Sequence, residues 1–101
     1  MNREVYRYVF VESVLLEDVE ATLDLALLGA QSLHGESRVR LDARYVFDAD
    51  KRAFVIDAST AVGESLNQLF VGYVRQEFGE DAFRVERVDR IPEPVAAGAA
   101  V

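Results

Sequence analysis

Val39-Arg-Leu-Asp-Ala-Arg-Tyr-Val-Phe47, Asp48-Ala-Asp-Lys-Arg52 and Ala53-Phe-Val-Ile-Asp57 follow one another without a break, and their reading decides the fold. In the first piece Leu41, Ala43, Tyr45 and Phe47 alternate with Arg40, Asp42, Arg44 and Val46. In the third, Phe54 and Ile56 alternate with Ala53, Val55 and Asp57. Period-two alternation on both sides of a short polar stretch predicts a β-hairpin. Outward from it lie two helical patterns, Leu16 to His34 and Ala61 to Phe78, and beyond them two further strand patterns, Glu4 to Glu12 and Phe83 to Val88. The chain therefore reads strand, helix, strand, strand, helix, strand.

That order is similar to the split βαβ plan of ferredoxin-like domains. The resemblance implies an α+β two-layer sandwich with an antiparallel sheet in the order 4-1-3-2, both helices on one face and the other face uncovered. It implies nothing about chemistry, because this plan carries enzymes, RNA binders, metal carriers and interaction modules alike.

The 101 residues, half of them apolar, suffice for one domain with its own core. We expect that domain over 1–89, followed by a Pro/Ala-rich tail over 90–101. With no Cys, disulfides and thiolate metal sites are excluded. No charged start precedes an apolar run, so a cytoplasmic location is expected. The apolar stretch Leu23 to Ala30 is interrupted by Asp24 and falls far short of the ~20 residues of a membrane span. A net charge of −7 makes nucleic acid an unlikely partner. The charge is also uneven. Residues 14–34 hold Glu17, Asp18, Glu20 and Asp24 and no Lys or Arg, whereas residues 38–57 hold five basic residues against four Asp.

In the first helix Leu16, Val19, Leu23, Ala26, Leu27, Ala30 and Leu33 form one stripe, and Gly35 is the natural stop. In the second, Val62, Leu66, Leu69, Phe70 and Tyr73 form the inner stripe, and Gly79 closes it. Leu25 and Leu28 fall beside the first stripe; Val71, Val74 and Phe78 fall beside the second. On the sheet, turning Tyr6, Tyr8, Phe10, Leu41, Tyr45, Phe54, Ile56, Phe83 and Val85 towards the helices sends the strand charges to water. Val9, Val11 and Val55 then become an apolar patch on the uncovered face. These eight residues, Val9, Val11, Val55, Leu25, Leu28, Val71, Val74 and Phe78, exceed what one core needs and are interface candidates for a homodimer.

The most site-like stretch is Asp57-Ala-Ser-Thr-Ala-Val-Gly63, where a strand-end carboxylate, two hydroxyls and a helix N-terminus meet. Asp57, Ser59, Thr60 and Gly63, with Arg7 or Arg44, are the ligand-binding candidates. Capping by Ser59 or Thr60, close packing at Gly63 and an ion pair from Asp57 account for the same residues without a ligand. His34, the single histidine, suits the C-terminal dipole of its helix and has no second His for a metal site. In the opposite sheet register Tyr6, Tyr8 and Phe54 face outward, and Lys51 to Ile56 resembles the third strand of RNA recognition motifs. It departs from that pattern at Ala53 and Asp57, where the family has glycine and an aromatic residue. Paired cysteines, a Gly-rich anion loop with Arg, and an Asp-Arg-Pro-Gly turn are all missing. Heavy-metal carriers, acylphosphatases and amino-acid-sensing modules are therefore unsupported. No catalytic residue, cofactor or metal is indicated. The expected function is a non-catalytic interaction or regulatory module acting through self-association and a partner protein. The alternatives are a ligand-binding or enzymatic dimer using the Asp57 turn, and RNA binding through the sheet.

Overall fold

The computed structural model describes residues 4–91. Its elements are β1 (Val5–Phe10), α1 (Leu16–His34), α2 (Glu36–Asp42), β2 (Tyr45–Asp48), β3 (Ala53–Asp57), α3 (Ala61–Phe78), a short 3-10 turn (Glu80–Ala82) and β4 (Phe83–Val88). The four strands form one antiparallel sheet in the order β2-β3-β1-β4, the order expected from the sequence. Residues from Pro92 onward, and with them nearly all of the stretch read as a tail, lie outside the described residues.

The register aligns Tyr8 with Phe54 and Val85, Phe47 with Phe54, and Phe10 with Phe83. These side chains share the face that meets α1 and α3. Tyr8, Phe10, Phe54 and Ile56 are buried with Val19, Leu23, Ala26, Leu66 and Phe70 in the main core. Phe54 stacks on Phe47 at 4.4 Å between ring centroids, and Tyr8 meets Phe70 edge-on at 5.0 Å. Aromatic rings packed in this way contribute about 0.5–1.5 kcal/mol per pair beyond the area they bury. The Tyr8 hydroxyl donates to Asn67 Oδ1 at 2.6 Å, so the one phenol in the core is satisfied. Burial raises the Tyr8 pKa well above the ordinary phenol value, because the charged form would lose its hydration.

One element differs from expectation. Residues 39–42, read as the first half of a strand from Val39 to Phe47, belong to the helix α2, and β2 begins only at Tyr45. Gly35, at φ 91°, stops α1, and α2 starts directly behind it. The alternating charges that suggested a strand also stand four apart, and the structure uses that spacing. Arg40 reaches Glu36 at 3.3 Å and Arg38 reaches Asp42 at 3.6 Å. Seven residues cannot hold a helix alone. Val39 anchors it in a small cluster with Ala30 and Val62, while Leu41, expected to face the core, is 73 % exposed. Leu33, placed by periodicity on the inner stripe of α1, is likewise exposed.

Arg52 closes the β2–β3 turn in the left-handed region, at φ 53°. Its backbone oxygen accepts from Phe10 N–H at 2.9 Å. Its guanidinium donates to Phe10 O at 3.1 Å, to Val11 O at 2.7 Å and to Val14 O. One arginine thus ties the hairpin to the loop that launches α1.

Candidate functional site

The Asp57 turn is built as a helix cap. Thr60 has extended backbone, and its Oγ1 accepts from Gly63 N–H at 2.9 Å. That bond satisfies one of the unpaired donors at the start of α3. The same hydroxyl donates to Asp42 O at 3.4 Å. Ser59 Oγ accepts from Glu4 N–H at 3.2 Å, and Asp57 Oδ1 accepts from Ser59 N–H at 3.0 Å. Gly63 packs against the strand end so closely that a Cβ there would lie 2.0 Å from Asp57 O. Both hydroxyls are therefore engaged by backbone.

Of the two candidate arginines, Arg44 lies beside Asp57 through its backbone oxygen, which accepts from Asp57 N–H at 3.0 Å. Arg7 sits opposite Val55, and Asp57 opposite Val5, so Arg7 and Asp57 share the uncovered sheet face. Ser59, Thr60 and Gly63 turn away towards the helix end. His34 Nε2 lies 2.9 Å from Ser65 Oγ and fastens the end of α1 to α3. Among the described residues no group of three or more His, Cys, Asp or Glu side chains is placed to hold a metal.

The interface candidates divide. Val74 is fully buried in the main core and Val55 is 3 % exposed, so neither is available to a partner. Val74 follows Phe70 by four residues and falls on the same buried face of α3. Val55, on a central strand, is flanked by Arg7 and Val46. An uncovered face does not expose a residue shielded sideways by its cross-strand neighbours. Val9, Val71 and Phe78 are half-buried, and Val11 is exposed. Leu25 and Leu28 remain, 53 % and 59 % exposed.

Their setting is specific. At about 100° per residue, Leu28 lies half a turn from the buried Val19, pointing straight away from the core, and Leu25 lies about 60° to its side. The same wheel puts Asp24, one turn before Leu28, beside it, and sets Glu17 and Asp18 on the same outward side but roughly 10–17 Å nearer the start of the helix. All three acids are exposed. Sequence reading found the leucines and the acids separately; what links them is their place on one outward face. The burial of Tyr8 and Phe54, both 1 % exposed, removes the rings that a base would need for stacking.

A cavity of about 250 Å³ between α1, α2 and β2 offers only one carboxylate, Glu36, which is already bonded to Arg40. No helix among the described residues is long and apolar enough to cross a membrane. No protein-family model, curated protein or solved structure matches the chain.

Proposed function

We propose that this chain is a small non-catalytic interaction module on the ferredoxin-like plan, and that it recognises a partner protein through the outer face of α1. The observation that carries the reading is the pair Leu25 and Leu28, exposed in the middle of a helix that holds Asp and Glu but no Lys or Arg. An exposed apolar pair on a helix whose Asp and Glu all precede it has the composition of a small recognition surface, with the leucines as anchors and the acids setting specificity. The complementary partner presents an apolar stripe flanked by Lys and Arg.

The same charge pattern bears on the homodimer expected from the sequence. Two copies meeting through α1 would bring two surfaces of the same charge sign together, and like charges brought together cost affinity. A different, basic chain fits better than a second copy. The test is a titration of the full chain with a synthetic basic amphipathic helix, wild type against Leu25→Asp and Leu28→Asp. Binding that weakens with added salt and disappears in both variants, but not in Leu33→Asp, supports the reading. A wild-type chain that instead dimerises through Leu25 and Leu28 would replace it with self-association.

A further inference from the structure

A second feature lies on the opposite side of the molecule, on the uncovered sheet face. A cavity of about 210 Å³ there is lined by Arg7, Lys51 and Arg90, by one acid, Asp48, and by the apolar Ala53, Val55 and Val88. Three cationic residues thus line one hollow in a chain whose net charge is −7. None of the three head groups makes an ion pair or hydrogen bond among the described residues.

The neighbouring acids are otherwise engaged. Glu86 stands opposite Arg7 in the register, but its Oε2 accepts from Arg84 Nε at 3.0 Å. Asp48 Oδ1 accepts from Lys51 N–H at 3.3 Å, which uses the carboxylate to shape the turn that presents Lys51. Arg7 is half-buried on β1, one of the two inner strands. Cations left unpaired beside an apolar lining are a favourable setting for an anion, since charge-assisted hydrogen bonds are the strong ones and the lining rewards an apolar body.

We propose that this hollow binds a small organic dianion, a phosphomonoester or a dicarboxylate with a short apolar body. Three cations against one committed carboxylate favour a doubly charged ligand over a singly charged one. The cavity lies below the ~300–1,000 Å³ of drug-sized sites, which limits the ligand to a small molecule. A nucleic acid strand fits poorly, because outside this hollow the acidic surface repels a polyanion. The site shares no residue with the α1 face and stands or falls separately from it.

The test is an amide-resolved NMR titration of the full chain with phenyl phosphate and with glutarate. Benzyl alcohol serves as the neutral control, and a short single-stranded oligonucleotide as the polyanion control. Saturable shifts at Arg7, Lys51, Val55 and Val88 with either dianion, and none with benzyl alcohol, are expected. Lys51→Ala and Arg7→Gln should each weaken binding about tenfold, and Arg38→Ala, on α2, should leave it unchanged. Lys51 is exposed in a hairpin turn, so its variant stays folded and remains decisive even where Arg7→Gln does not. The proposal is overturned by shifts that fail to saturate by roughly 20 mM, by equal weakening in Arg38→Ala, or by tighter binding of the oligonucleotide at the same residues.

Discussion

Gly63→Ala and Gly72→Ala place the same methyl group in the same helix, and the structure assigns them opposite signs. At Gly72 the added Cβ meets nothing within 4 Å, so the variant gains helix propensity and loses unfolded-state freedom, together worth about 0.5–1 kcal/mol of stabilisation. At Gly63 the Cβ would lie 2.0 Å from Asp57 O, 3.1 Å from Asp57 C and 3.2 Å from Ala58 Cα. All three are backbone atoms of the strand end and its exit, so no side chain can swing aside. Relief requires the first turn of α3 to move off the sheet by an ångström or more. That motion stretches the 2.9 Å bond from Gly63 N–H to Thr60 Oγ1, a cap worth about 1 kcal/mol. Overpacking of this kind adds about 1–3 kcal/mol. After the propensity gain of about 1 kcal/mol is subtracted, Gly63→Ala should still destabilise by about 1–3 kcal/mol. Urea denaturation of wild type and both variants reads the difference directly, through shifted midpoints at constant slope. A Gly63→Ala midpoint equal to or above that of wild type would refute the close approach of α3 to β3.

Phe54→Ala should cost about 3–5 kcal/mol, because the ring is 1 % exposed and packed on Phe47 and Phe70; a near-normal melting curve would show that it is not in the core. Arg52→Ala should lose about 2 kcal/mol and speed amide exchange in residues 11–15. Arg52→Gly should be milder by about 1 kcal/mol because it relaxes the φ of 53°, and equal stabilities would remove backbone strain from the account. Tyr8 has its folded pKa raised above the unfolded value near 10, so its contribution is fully present below pH 10 and is lost as pH rises beyond it. The stability advantage of wild type over Tyr8→Phe should therefore shrink above pH 10, and a constant difference would contradict the burial of the phenol.

Much of the fold was legible because independent local signals agree. Gly35 and Gly79 end α1 and α3 at φ 91° and 89°, the polar run 48–52 makes the turn, and the aromatics of β1 and β3 alternate onto one face. Residues 39–42 misled because two periods are superimposed there. Apolar residues every second position suggest a strand, while the charge pairs four apart favour a helix, and only the packing of Val39 on Ala30 and Val62 decides between them. Val74 was misplaced because α3 buries a face wide enough to include it. The role of Arg52 left no trace in periodicity, since it depends on three carbonyls from another loop. The cationic hollow was equally hidden. Arg7, Lys51 and Arg90 are far apart along the chain, and the strand order alone brings them together.

The strand order has a further consequence for a chain made from its N-terminus. β1 is hydrogen-bonded only to β3 and β4, so nothing encoded before residue 53 can complete its ladder, and its last partner, β4, ends at Val88. While the intervening residues emerge from the ribosome, at about 5–20 per second, Tyr8, Phe10 and the apolar stripe of α1 have no sheet to close on. The waiting time is therefore several seconds, far longer than the microseconds in which α1 can form. During that interval the nascent chain presents an apolar strand whose hydrogen-bonding edges are both open. Chaperone demand and aggregation during synthesis should track the supply of the C-terminal half, and a circular permutant that begins at β3 would shorten the wait.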